Sequence, residues 1–203
     1  MEPVILRKKE LYNDFLILVN AEHPYDAEAE ELTLIPVHPE MPDILLEEHV
    51  QHQLSALMEE INGWEKIVPV SGWRSLEEQQ SIFDSSLLEN GEEFTRKFVA
   101  LPGCSEHQTG LAIDLGLKQE EVDFICPEFP YTGICQKFRE RAASYGFIER
   151  YQKEKERITG ISQEPWHFRY VGCPHAKIME KYHLCLEEYS ELLEQILYGK
   201  EII

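Results

Sequence analysis

Hydrophobic positions recur at helical spacing in several parts of this 203-residue chain, and short apolar runs of strand character lie between them. From Ile44 to Ile61, apolar residues at Leu46, Val50, Leu54, Leu57 and Ile61 share one helix face. Asp43 is placed to cap that helix and Asn62-Gly63 to stop it. "KIVPVSG" follows as a short strand ending in a turn. Ser75 opens the capping box S-L-E-E, with Glu78 able to reach back to the Ser75 amide, and the helix it starts runs to about Asn90-Gly91. Residues 92–103 read as a short helix and then a loop at Leu101-Pro102-Gly103, and "LAIDL" as a strand. "TGICQKFRERAASYG" places Ile134, Phe138, Ala142 and Tyr145 on one helix face, with Gly146 as its stop. "FIERY" and "WHFRYV" are β-rich, Pro174 suits the first turn of a further helix, and "LEEYSELLEQILYG" supplies the last one. Residues 20–43 hold four prolines and few periodic apolars, so they read as an irregular arm. The expected fold is α+β, a central antiparallel or mixed sheet flanked by helices, in one domain over 1–203: an arm at 1–43 and a core at 44–203.

Charge narrows the partners. With 38 acidic against 19 basic residues, the formal net charge is -19. Such a field repels nucleic acid and anionic membrane surfaces, so neither is expected as a partner. It repels an anionic small substrate too, which would then need locally placed arginines. "FLILV", Phe15 to Val19, is too short to cross a bilayer or to form the core of a secretory leader, and the expected location is the cytoplasm. Five cysteines with no CxxC pair read as reduced, packed thiols.

Three stretches carry candidate chemistry. In "SEHQTGLAID", His107 stands in the loop entering a strand and Asp114 on that strand, with Gly110 permitting a tight bend between them. The pair suits a catalytic zinc, which takes three protein ligands and leaves a position for water. Taken alone, Asp114 is equally a strand end. In "QEPWHFRY", Glu164 lies three residues before His167 and offers a carboxylate beside a third ligand, as a general base requires. Trp166 and Phe168 there also read as core. In "SGWRS", Arg74 precedes a helix whose start favours acids, so either an oxyanion-holding role or a surface salt bridge explains it. His49 and His52 read as a solvated helix face, His175 as a loop or cap residue, and His23, His38 and His183 name no partner.

Taken together, S-x-H-x-x-G-x-A-x-D followed by E-x-W-H resembles the signature of the D-alanyl-D-alanine metallopeptidases of the VanX/VanY type, within the wider group that includes the hedgehog domain. The resemblance spans residues 64–190 and is nearest to the bifunctional VanXY branch of glycopeptide resistance. It implies the zinc-peptidase fold, one Zn²⁺ on His107, Asp114 and His167, Glu164 as base, Arg74 beside the scissile carbonyl, and Ser105 on the substrate backbone. The substrate implied is a small peptide ending in D-Ala-D-Ala. A monofunctional carboxypeptidase or an endopeptidase are the alternatives. Glu164 argues against a non-catalytic zinc module, and the lack of any S-x-x-K argues against a serine peptidase. Residues 116–133 and the 20–43 arm are expected to shape substrate entry, with Tyr131 near the mouth. Gln152, where many relatives carry proline, and Cys185, where Ser or Thr usually caps the last helix, depart from the pattern.

Overall fold

The computed structural model describes residues 14–26 and 32–198. Its first two strands correct the expectation for the arm. Strands β1 (Leu34–His38) and β2 (Met41–Glu47) form an antiparallel hairpin, and helix α1 (Glu48–Ile61) begins only after it. Ile44, Leu45 and Leu46 therefore lie in a strand, not in the first turn of a helix. The run "ILL" suits either state, and the cap decides between them: the Glu47 side chain, not Asp43, accepts the Val50 amide at 3.1 Å. Prolines 36 and 42 are tolerated because a two-stranded sheet has only edge strands.

The main sheet has four strands in the order β3-β4-β6-β5, all antiparallel: β3 (Ile67–Ser71), β4 (Ala112–Leu117), β5 (Phe147–Tyr151) and β6 (Glu164–Tyr170). Residues paired across an antiparallel ladder share a face, so the register sorts the side chains. Ile67, Ile113, Leu115, Phe147, Phe168 and Tyr170 form one apolar face, packed in a single cluster with Val50, Leu54, Leu57, Met58 and Ile61 of α1 and with Phe138 and Ala142 of α4 (Gly133–Ala142). The opposite face is polar and still buried: Asp114, His167, Arg169 and Arg150 are at most 5% exposed. Burying such groups demands compensating partners, and that need shapes the site.

Helix α2 (Leu76–Asn90) starts at the Ser75–Glu78 capping box as expected, and α3 (Glu92–Phe98) follows it. After the four-residue α5 (Glu156–Thr159), the C-terminal helices α6 (Cys173–Tyr182) and α7 (Leu186–Tyr198) build a second cluster through Met179, Leu186, Tyr189 and Leu193, to which Leu16 and Ile148 add. At the start of α7, the Cys185 amide donates to Glu188 at 2.9 Å, so the last helix has a cap although the usual hydroxyl is missing. His175 is buried against Tyr189, its Nδ1 2.8 Å from the hydroxyl. Among the described residues, no helix is long and apolar enough to cross a membrane.

Candidate metal centre and active site

The site is assembled at the middle of the polar sheet face. Asp114 of β4 pairs directly with His167 of β6, and Ser71 at the end of β3 pairs with Asp114 from the other side. His107 comes from the 3-10 turn Glu106–Thr109, which Gly110 turns into β4 with a φ of 71°. Gly72 matters by its bareness: a Cβ there would lie 2.2 Å from the Leu45 carbonyl oxygen. That close approach lets the Gly72 carbonyl stand 2.6 Å from His107 Nδ1.

Three donors converge. His107 Nε2 lies 3.1 Å from Asp114 Oδ2, and His167 Nδ1 lies 2.9 Å from Asp114 Oδ1. Among the described residues these three form a group with metal-ligand geometry, one atom from each within 4.8 Å of the others. The far nitrogen of each imidazole faces an acceptor, the Gly72 carbonyl for His107 and Glu106 Oε2 at 3.5 Å for His167. Those acceptors set the tautomers, leaving Nε2 of His107 and Nδ1 of His167 as the ligand atoms. Two imidazoles and one carboxylate suit zinc, so the residues present fit that ion.

Glu164 stands beside this group without joining it. A regular pleat puts residues three apart on opposite faces. Here β6 runs from Phe168 to Glu164 while β5 advances only from Glu149 to Tyr151, and the irregularity brings Glu164 round to 3.8 Å from His167 Nδ1. Burial is the main force raising the Glu164 carboxyl, to about 8, with Asp114 and Glu106 adding to it and His167 and Arg74 opposing. Burial alone would also raise Asp114, but His107 and His167 hold it far below the ordinary carboxylate range. Burial depresses His107, with Arg74 adding to the effect. Burial works against the His167 cation as well, yet hydrogen bonds to Asp114 and Glu106 carry it up to about 9.

Arg74 is held on three sides. Its Nε donates to Ser71 Oγ at 2.7 Å, Nη1 to Gln79 Oε1 at 3.3 Å and Nη2 to Asp114 Oδ2 at 2.9 Å. Gln79, fully buried in α2, is itself fixed by the Ala100 carbonyl at 2.8 Å. Arg74 is thus no surface salt bridge. A cleft opens above these groups, walled by Phe124, Ile125, Trp166 and Ser105.

A family model described as VanY, D-alanyl-D-alanine carboxypeptidase, matches residues 43–173. This chain belongs to the VanY family. Its relatives include the bifunctional D-Ala-D-Ala dipeptidase and D-Ala-D-Ala carboxypeptidase VanXYC of Enterococcus gallinarum, 44% identical over 89% of this chain and 95% of that protein. Among solved structures, VanXYg in complex with a D-Ala-D-Ala phosphinate analogue is 54% identical with a TM-score of 0.86, covering 92% of this chain and 74% of the other. A VanY variant from a VanB-type resistance cassette, in complex with Zn(II), is 31% identical with a TM-score of 0.74, covering 87% and 99%. The α+β peptidase fold and the VanX/VanY likeness expected from the motifs are both found, and the chain is a metallopeptidase-family enzyme.

Within this VanY-family site the structure brings together His107, Asp114, His167, Glu164, Arg74 and Ser105. Tyr131 is not among the residues lining the cleft. Its hydroxyl bonds Glu149 and accepts from Gln163 at 2.8 Å, and its ring lies 4.0 Å from the Arg139 guanidinium carbon. The motifs do not single out Glu106, Gln79 or Tyr151, whose ring lines the cleft 5.0 Å from that of His167. A signal for Glu106 existed: arginines inside the strands FIERY and WHFRYV require a buried anion, and the motif places one next to His107.

Proposed function

We propose that this chain is a zinc D,D-peptidase forming one domain over residues 1–203. In this reading it hydrolyses D-Ala-D-Ala both as the free dipeptide and at the end of a peptidoglycan-precursor pentapeptide, and so gives vancomycin resistance. The observation that carries the reading is Glu164, buried 3.8 Å from His167 Nδ1 yet outside the three-ligand group. A metal centre with a spare carboxylate is the arrangement of a hydrolase, since a structural zinc is closed by four protein ligands.

His107 Nε2, Asp114 and His167 Nδ1 would hold the ion. Zinc bound there supplies Lewis-acid polarisation of the carbonyl and acidifies the attacking water. Glu164 takes the proton of that water, a role its place beside the ligand group and outside it allows. The same carboxyl then returns the proton to the departing D-alanine amine. Arg74, fixed by Ser71 and Gln79, presents its guanidinium to the oxyanion that develops on the carbonyl. Its positive charge also offsets the acidic field of the chain for a substrate that ends in a carboxylate.

Likeness to VanXYC over 95% of that protein supports two substrates over one. Location in the cytoplasm is part of the same proposal. Purified zinc-loaded protein assayed side by side on D-Ala-D-Ala and on a muramyl-pentapeptide tests it. Turnover of both is expected. Turnover of one alone would reduce the reading to a monofunctional peptidase, and of neither would remove it.

A further inference from the structure

We propose that Glu106 is a positioning residue for the metal centre, a fully buried carboxylate that orients the His167 imidazole and is itself clamped by Arg150 and Arg169. The inference rests on the zinc reading above. The two oxygens of Glu106 have different tasks. Oε1 accepts from Arg150 Nε at 2.8 Å and lies 3.0 Å from Arg169 Nη1, an ion pair without an aligned hydrogen bond. Oε2 is left facing His167 Nε2 at 3.5 Å. Glu106, Arg150 and Arg169 all have 0% side-chain exposure.

The clamp continues outward. The other two nitrogens of Arg150 grip the Glu187 carboxylate of α7 at 2.8 and 2.6 Å. Arg169 Nη2 donates to the carbonyls of Phe15 and Ile17, at 3.1 and 2.8 Å, and its Nε to the Tyr170 carbonyl at 3.0 Å. Burying so many charges is poor design for stability alone, because a hydrophobic replacement of such a cluster is often at least as stable. A function that needs a carboxylate at one fixed point accounts for it. A ligand imidazole whose far N–H meets a carboxylate is held in one tautomer and one orientation, and becomes a more basic ligand. His107 has only the neutral Gly72 carbonyl in the same role, so His167 is the ligand that this device strengthens. The 3.5 Å separation is at the outer limit of a hydrogen bond, so donation to Oε2 is what must be measured.

The test uses the full-length protein, zinc titration against a chromophoric chelator, and the absorption spectrum of the cobalt(II)-substituted form. Glu106→Gln should weaken zinc binding by about 10- to 100-fold and shift the cobalt bands. Glu187→Gln removes a partner of the same Arg150 but touches neither imidazole. It should lower Tm and leave zinc affinity within about twofold of wild type, because Glu187 meets only the far nitrogens of Arg150. Unchanged zinc affinity and cobalt spectrum in Glu106→Gln would overturn the inference, and so would equal weakening in both variants, which would mark the cluster as merely structural. Should Glu106→Gln not fold, ¹⁵N NMR of the zinc-loaded wild type decides. A protonated, hydrogen-bonded His167 Nε2 is expected, and coordination through that nitrogen overturns the proposal. A wild-type chain with no zinc affinity would overturn the zinc reading along with it, an outcome distinct from those that strike Glu106 alone.

Discussion

At the scale of single residues, Glu164 and Arg74 do different work and should fail differently. Glu164 lies outside the ligand group, so Glu164→Gln should keep zinc binding, measured by titration, while turnover falls by about 10³–10⁴-fold. Full turnover in that variant would remove Glu164 as base. Arg74→Ala should lower kcat by about 10²–10³-fold, the effect of losing one oxyanion donor. Asp114 is also freed from its 2.9 Å partner in that variant, so zinc affinity should not fall with kcat. How legible these residues were follows from where their partners lie. His107, Asp114, Glu164 and His167 stand in two short motifs, so residue type and spacing announced them. Glu106 acts through arginines 44 and 63 positions away, and nothing local to it names them. Tyr131, expected near the mouth from its place in residues 116–133, packs on Arg139 and meets Gln163 outside the cleft lining.

At the scale of elements, two junctions bear on the chemistry. Gly72 lets the β3–α2 turn pass against β2, and Gly72→Ala would push a methyl into the Leu45 carbonyl. The expected outcome is a lower Tm together with weaker zinc binding, because the Gly72 carbonyl that fixes His107 must move. The second junction is the Arg150–Glu187 pair, which ties α7 to the sheet. Burial works against ionised Glu187, but Arg150 holds its pKa below the ordinary 4.5. A lowered folded-state pKa contributes stability that is present above 4.5 and is lost as pH falls through the lower folded value. Glu187→Gln should therefore cost about 2–3 kcal/mol near neutrality, and the gap in Tm from wild type should close as the solution is acidified. The β1–β2 hairpin was the element that pattern alone misassigned. Leu46 is buried whether the segment is strand or helix, and only the Glu47 cap, a side-chain geometry, separates the two.

At the scale of the whole molecule, the net charge of -19 distinguishes the two proposed substrates. A zwitterionic dipeptide feels little of that field, whereas an anionic muramyl-pentapeptide is repelled by it. Raising salt from low to physiological strength should thus lower KM for the pentapeptide more than for the dipeptide. An equal response for both would mean that local charge at the cleft dominates. The sheet face that carries the site also reaches the front of the chain, where Arg169 ends on the peptide oxygens of Phe15 and Ile17. An alanine scan leaves those oxygens in place and would report both positions as silent toward the ion. A deletion reaching Ile17 would instead strip Nη2 of both its acceptors, and a trimmed enzyme would hold its metal less firmly for want of a stretch of main chain that carries no ligand.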